Sequence, residues 1–157
     1  MTIEREPITD EDWLYRRLGI HNIRQADGSV HYNAFQRRSD PRSRKWEPDP
    51  NVSVDLARLT TPEKSLIDAD RANMGIGAIE AGFPRALAPG QIHVMHTPDE
   101  APIDRPNPAH ASIKGNEGEG ALDRCHLMAE EMSKHVKIYP VGTPWRTEAG
   151  GAAAPGD

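Results

Sequence analysis

The segment from about residue 119 to 135 has the clearest periodicity in the chain and limits what the other residues can form. Its apolar positions recur at spacings of four, three and four residues: Ala121, Cys125, Met128 and Met132. This spacing places them on one face of a helix. Because a helix with one apolar face must bury it against another layer, we expect the shorter apolar segments to supply that layer.

Those shorter segments have the pattern of β-strands. In the clearest, about 51–56, Val52, Val54 and Leu56 alternate with polar residues, as in a half-buried strand. Further strands are predicted over about 29–35, 91–96, 109–114 and 136–139, and a strand or a bulged connection over 74–79. The segment 13–18 is either a short strand or a helical turn, and a strand is favoured. The glycines and prolines between these segments indicate turns and irregular crossings.

A second, shorter helix is predicted over about 61–72, and its start has two readings. If Thr60 is the N-cap, Glu63 completes a capping box. If Thr61 is the N-cap, Pro62 takes the favoured first helical position. Strands before, between and after two helices predict an α+β fold, with a mixed or mostly antiparallel sheet packed on one face by the long C-terminal helix.

The length of 157 residues favours a single domain. A mean hydropathy of −0.70 and only eight aromatic residues predict a small core, with much of the chain in turns and loops. The C-terminal end is rich in glycine and alanine and has no apolar periodicity. We therefore expect one domain over residues 1–146 and a flexible tail over 147–157.

The sequence also favours one compartment over others. No apolar run approaches the roughly 20 residues that span a bilayer, and the first residues are acidic where a signal peptide is basic. We expect a soluble, cytoplasmic protein that does not bind membranes. The sole cysteine, Cys125, excludes an internal disulfide and any zinc site built from several thiolates, and its place on the apolar face predicts a buried thiol with a raised pKa.

Charge is unevenly distributed along the chain. The net charge of −5 argues against general nucleic-acid binding. Between residues 37 and 46, however, five cations stand against Asp40 alone, which leaves 14 basic and 23 acidic residues elsewhere. The candidate binding residues of this basic segment are Arg37, Arg38, Arg42, Arg44, Lys45 and Trp46. They form either a loop that docks on phosphate or an acidic partner, with the tryptophan as a stacking surface, or a solvated loop.

Two residues of the strand 109–114 are the candidate catalytic residues. His110 and Ser112 are two positions apart, so their side chains share one face of the strand. The sequence His-Ala-Ser-Ile resembles one half of the His-x-Thr/Ser pattern of two-histidine phosphoesterases, in which paired histidines act as acid and base. That family needs a second copy of the motif, which this sequence lacks, so the family is not assigned. Asp55 or Glu80 is the expected carboxylate partner.

A second pattern resembles folds that cleave NAD. In those folds an early arginine binds pyrophosphate, and a serine and a carboxylate face the same cleft; Arg16, Ser53 and either Glu80 or Glu100 would take these places.

Other candidate sites are weaker. His93 and His96 point to opposite faces of a strand and cannot ligate one metal there, so no metal site is predicted. The glycine-rich stretch 115–120 carries two glutamates that would repel a phosphate, and a flexible connection is expected. The sequence identifies no cofactor.

These features support two hypotheses about function. The first is a small interaction or ligand-binding module that uses long loops, including 36–50, to engage a protein partner or an anionic or phosphorylated ligand. The alternative is a small enzyme in which His110 and Ser112, with a nearby carboxylate, carry out hydrolysis or group transfer on a nucleotide or phosphorylated substrate.

Overall fold

The structure, a computed structural model, describes residues 3–19, 29–35, 51–66, 74–100, 106–115 and 117–139. Its strands are β1 (Trp13–Gly19), β2 (Asn51–Leu56), β3 (Met74–Glu80), β4 (His93–His96), β5 (His110–Lys114) and β6 (Lys137–Tyr139). Its α-helices are α1 (Pro62–Ser65), α2 (Gly82–Leu87) and α3 (Ala121–His135). The strands pair antiparallel in one sheet, in the order β4–β5–β2–β1–β3–β6. The predicted α+β fold is therefore confirmed.

One face of the sheet, here called the core face, is packed against α3. The helix buries the predicted apolar positions Cys125, Met128 and Met132, and the strands present Leu14, Leu18, Val52, Val54, Leu56 and Ile113 toward the same core. The alternation of each strand directs its remaining side chains to the opposite face, here called the open face. The long helix thus covers one face of the sheet, as its periodicity predicts.

The segment 29–35 corrects one prediction, because it forms no strand. Tyr32–Phe35 is a 3₁₀ helix, which begins with a hydrogen bond from the Ala34 amide to the His31 carbonyl (3.0 Å). Ala34 and Phe35 are both buried in the core against α3. Consecutive residues of a strand would point to opposite sides, whereas a helical turn directs both toward the same core.

Local signals explain the two short helices. The amide of Lys64 donates to the Thr61 hydroxyl (3.3 Å), so Thr61 is the N-cap of α1 and Pro62 its first residue. The helix ends at Ser65, earlier than predicted, and residues 67–72 lie outside the described residues. The helix α2 has no counterpart among the predictions, although a proline in the first turn, here Pro84, is compatible with a helix because the amide there needs no helical partner.

A glycine allows β3 to pack closely on its neighbours. A Cβ atom at Gly77 would lie 2.7 Å from Val136 Cγ2 and 3.0 Å from Leu18 Cδ1. Gly77 therefore lets the chain after α3 approach the sheet, and the glycine-interrupted segment 74–79 forms a strand despite its low intrinsic strand propensity.

The segment before β1 is held against the sheet by side chains from other elements. The Glu6 amide donates to Nδ1 of His96 in β4 (2.9 Å), and Arg58 pairs with the Glu6 carboxylate. The hydrogen bond to Glu6 raises the pKa of Arg58. Arg85 of α2 donates to the carbonyl of Ile8 (2.7 Å), which is buried in the core. The segment thus belongs to the folded unit.

The thiol of Cys125 provides a test of the core between α3 and the sheet. Its burial raises its pKa from the ordinary value of 9.0 to about 11. At pH 8 we therefore expect about one thiol in 1,000 to be ionised, and reaction with a thiolate-selective disulfide reagent to be slow in the native protein and fast in urea. Because the folded state holds this proton more tightly, stability should fall as pH rises from 9 toward 11. Equal reaction rates in native protein and in urea would contradict this burial.

Candidate functional site

The open face is polar on the side formed by β4, β5 and β2. The sheet register places His110 of β5 opposite Asp55 of β2, and Ser112 opposite Ser53. Asp55 also lies opposite Tyr15 of β1, where the face becomes apolar. The structure therefore brings the candidate residues His110 and Ser112 together with Asp55, the first of the two expected carboxylates.

The ring of His110 is oriented by the chain that follows β4. Its Nδ1 donates to the carbonyl oxygen of Thr97 (2.8 Å) and lies 3.1 Å from the Thr97 hydroxyl and 4.0 Å from a carboxylate oxygen of Asp99. A carbonyl oxygen only accepts, so the proton of the neutral ring is placed on Nδ1. The lone pair is then on Nε2, for which the structure records no hydrogen bond to a described residue. His110 has the arrangement of a histidine available for acid–base work.

Ser112 has a different environment from His110. Its side chain is buried, and its hydroxyl lies 2.8 Å from the hydroxyl of Thr97. Thr97 therefore contacts both Ser112 and His110. These two residues, both of which the structure describes, make no direct hydrogen bond with each other. The catalytic roles of the two residues stay predictions, and the geometry favours His110 as the reacting group and Ser112 as its support.

Asp55 is a buried carboxylate with two neutral partners. It is 4% exposed and accepts hydrogen bonds from the Ser65 hydroxyl and from the Asn107 side-chain amide (2.9 Å). Glu80, the other carboxylate considered, is exposed at the far end of β3, opposite Trp13. The sheet order separates β3 from β5 by two strands, so of the two expected carboxylates Asp55 is the one near His110.

A cavity of about 340 Å³ opens above Asp55. Its inner wall includes the buried residues Asp55 and Ser65, together with Asn107, and its mouth carries Thr60 and the exposed cations Arg17 and Lys64. We call this space the Asp55 cavity. Its volume lies at the lower end of the range of small-molecule sites.

His110 is the immediate neighbour of this cavity across the strands. The Leu56 amide donates to the Ala109 carbonyl (2.7 Å), so these two residues form a hydrogen-bonded pair of the antiparallel strands. The next pair along the strands, Asp55 and His110, is therefore a non-hydrogen-bonded pair. The Cα atoms of such a pair are about 4.5 Å apart, so the two side chains are close. Both residues are described, and they make no direct hydrogen bond or ion pair with each other.

The loop between β4 and β5 supplies residues that the sequence did not indicate. Asp99 and Asn107 pair through both backbone hydrogen bonds (2.9 Å each), which brings the two ends of the loop together. The pairing holds Asn107 beside Asp55 and Asp99 beside His110. Asparagine favours turns, so Asn107 was the one local indication of a turn at this place. In the structure its side-chain oxygen accepts a hydrogen bond from the Ala109 amide (3.2 Å).

The structure describes only some of the other candidate residues. The basic segment with Arg37, Arg38, Arg42, Arg44, Lys45 and Trp46 lies outside the described residues, as does the tail 147–157. In the glycine-rich connection, Arg124 donates to the carbonyls of Gly115 (2.6 Å) and Glu119 (2.8 Å), so these carbonyl oxygens face a cation of the chain itself. Arg16 and Ser53 lie on opposite faces, because Arg16 shares the face of Leu14 and Ser53 that of Asp55.

His93 is exposed and His96 buried, on opposite faces of β4 as predicted. The described residues hold no group of three His, Cys, Asp or Glu side chains placed to bind a metal ion.

Within the same ranges, no helix is long and apolar enough to cross a membrane. No protein-family model, curated protein or solved structure matches this chain.

Proposed function

We propose that this chain is a ligand-binding domain whose Asp55 cavity takes a small ligand with a phosphate or carboxylate group. The observation that carries the proposal is the composition of the cavity, which combines a buried polar wall with the cations Arg17 and Lys64 at its mouth. Cationic side chains form strong, charge-assisted hydrogen bonds with such anions. The chain as a whole is acidic, so two cations at one cavity favour an anionic ligand at this place.

The basic segment 36–50 extends the same proposal. In the sequence it connects Phe35, which is buried in the core, to Asn51, the first residue of the strand that carries Asp55. We propose that its cations, centred on Arg42, Arg44 and Lys45, engage an acidic or phosphorylated partner. A cytoplasmic location is part of this proposal and is compatible with a sole cysteine that is free and buried.

Removal of one cation from the mouth tests the ligand site. We expect Lys64→Ala to weaken the binding of ethyl phosphate at least about tenfold, because a hydrogen bond to a charged group contributes about 1.5–3 kcal/mol. An NMR titration of the labelled protein measures the affinity and locates the perturbed amides. Lys134→Ala, which removes an exposed cation of α3, is the matched control and should have no effect. Equal weakening by both variants, or shifts confined to α3, would contradict the site.

A specific observation favours the enzyme as the second candidate function. The Thr97 carbonyl fixes the His110 proton on Nδ1, which leaves the lone pair on Nε2, and His110 follows Ala109, a residue that lines the cavity. In this mechanism His110 Nε2 takes a proton from water while the water oxygen forms a bond to phosphorus. The bond between phosphorus and the leaving oxygen breaks, and the leaving group departs as an anion with that electron pair. His110 contributes as general base, and Ser112 only holds Thr97.

The His110 and Ser112 variants separate these roles. We expect His110→Gln to lower the hydrolysis of a nitrophenyl phosphodiester about 100-fold, within the usual range for a general base. Ser112→Ala should lower it much less, because its hydroxyl bonds Thr97. An equal loss in both variants would contradict the minor role given to Ser112. If the parent protein does not hydrolyse the substrate, the enzyme hypothesis is wrong and binding is left as the function.

A further inference from the structure

We infer that the ligand of the Asp55 cavity is a zwitterion, with an ammonium group that pairs with Asp55 and an anionic group that stays at the mouth. The inference rests on the proposed function, because it assumes that the cavity holds a ligand. It adds the chemical class of that ligand.

The Asp55 carboxylate has unfilled capacity to accept hydrogen bonds. A carboxylate has about four acceptor sites, and Asp55 uses two of them, one for the Ser65 hydroxyl and one for the Asn107 amide. Both donors are neutral. No lysine, arginine or histidine of the described residues makes an ion pair with it, although it is only 4% exposed.

The burial of the Asp55 carboxylate costs free energy. A carboxylate taken out of water is strongly disfavoured unless a cation or several donors compensate it. Neutral hydrogen bonds compensate part of that cost. A ligand ammonium group would add three donors and a positive charge, which no described residue supplies to Asp55 in an ion pair. A ligand hydroxyl would supply a donor without charge. The charge balance of the cavity wall therefore favours an amine.

The positions of the charged side chains set the orientation of the ligand in the cavity. Arg17 and Lys64 lie at the exposed mouth of the cavity, and Asp55 lies on its buried wall. The two cations at the mouth repel an ammonium group and attract an anion. The Asp55 carboxylate on the inner wall attracts an ammonium group and repels an anion. A ligand with both groups is thus oriented with its amine inward and its phosphate or carboxylate outward.

Two matched series of probes test this inference on the full chain. Aminoalkyl phosphates with two to six carbons carry both charges, and alkyl phosphates of the same lengths carry only the phosphate. At the best length we expect the amino compound to bind at least tenfold more tightly in an NMR titration at pH 7. The preference should peak at one length, because the two charged ends of the cavity are a fixed distance apart.

Variants locate the preference at Asp55. Asp55→Asn has nearly the same shape and no charge, and should abolish the difference between the two series. Glu80→Gln is the matched control, since it removes an exposed carboxylate at the far end of β3 and should retain the full preference. The comparison of the two series on the parent protein needs no variant and stands even if Asp55→Asn does not fold.

The outcomes separate the inference from the proposed function. If both series bind equally, or the alkyl phosphates bind more tightly, the zwitterion is wrong while the anion site stands. If neither series binds, the proposed function and the inference both fail. A preference that persists in Asp55→Asn would overturn the role of this carboxylate.

Discussion

Replacing Phe35 by alanine is expected to lower the free energy of unfolding by about 3–5 kcal/mol. The Phe35 ring is fully buried between the sheet and α3, so its removal leaves a cavity that the surrounding side chains fill only in part. Domains of this size have a total stability of about 5–15 kcal/mol. The substitution therefore removes a large share of that stability, which urea unfolding followed by circular dichroism measures.

Tyr32→Ala is the control within the same 3₁₀ helix. Tyr32 is 47% exposed and contacts the ring of His31, with ring centroids 4.3 Å apart. We expect a loss below about 1 kcal/mol, typical of a surface substitution. Similar losses at Phe35 and Tyr32 would mean that this helix does not pack its buried edge against α3, and the description of the core face would then be wrong.

The elements that could be predicted are those with enough residues to reveal a period. The spacing of apolar residues alone indicates the buried face of α3 and the alternation of β2. The residues Thr60 to Glu63 mark the start of α1 to within one residue, and the structure selects Thr61 as the N-cap. The segment 29–35 is too short to show a period, and its alternating start at Val30 suggests a strand. Its helical turn follows from burial of Phe35 under α3, a contact between distant parts of the chain.

The candidate site could be predicted only in part, because some of its contacts depend on the order and register of the strands. The two-residue spacing of His110 and Ser112 is enough to place both side chains on one face of a strand. The choice between Asp55 and Glu80 depends on the order of strands in the sheet, which no local pattern encodes. Thr97 reaches His110 only through the register of β4 on β5, and that register is set by pairing across the sheet.

Replacing His96 by phenylalanine is expected to have a second large effect, a loss of about 1–3 kcal/mol, because it removes two part-buried hydrogen bonds that each contribute about 0.5–1.5 kcal/mol. His96 is 2% exposed, and both ring nitrogens are used: Nδ1 accepts the Glu6 amide (2.9 Å) and Nε2 donates to the Pro108 carbonyl (2.6 Å). A phenyl ring fills a similar volume and can make neither bond.

The matched control is His93→Phe, on the same strand with an exposed side chain, where we expect a change within about 0.5 kcal/mol. Trypsin cleavage after Arg5 adds a local readout, because it reports whether the segment before β1 has left the sheet. Its rate should rise in His96→Phe by more than the lost global stability requires, since the Glu6 amide is released directly. A rate that rises only in proportion to global unfolding would show that the contacts of Arg58 and Arg85 hold the segment without His96.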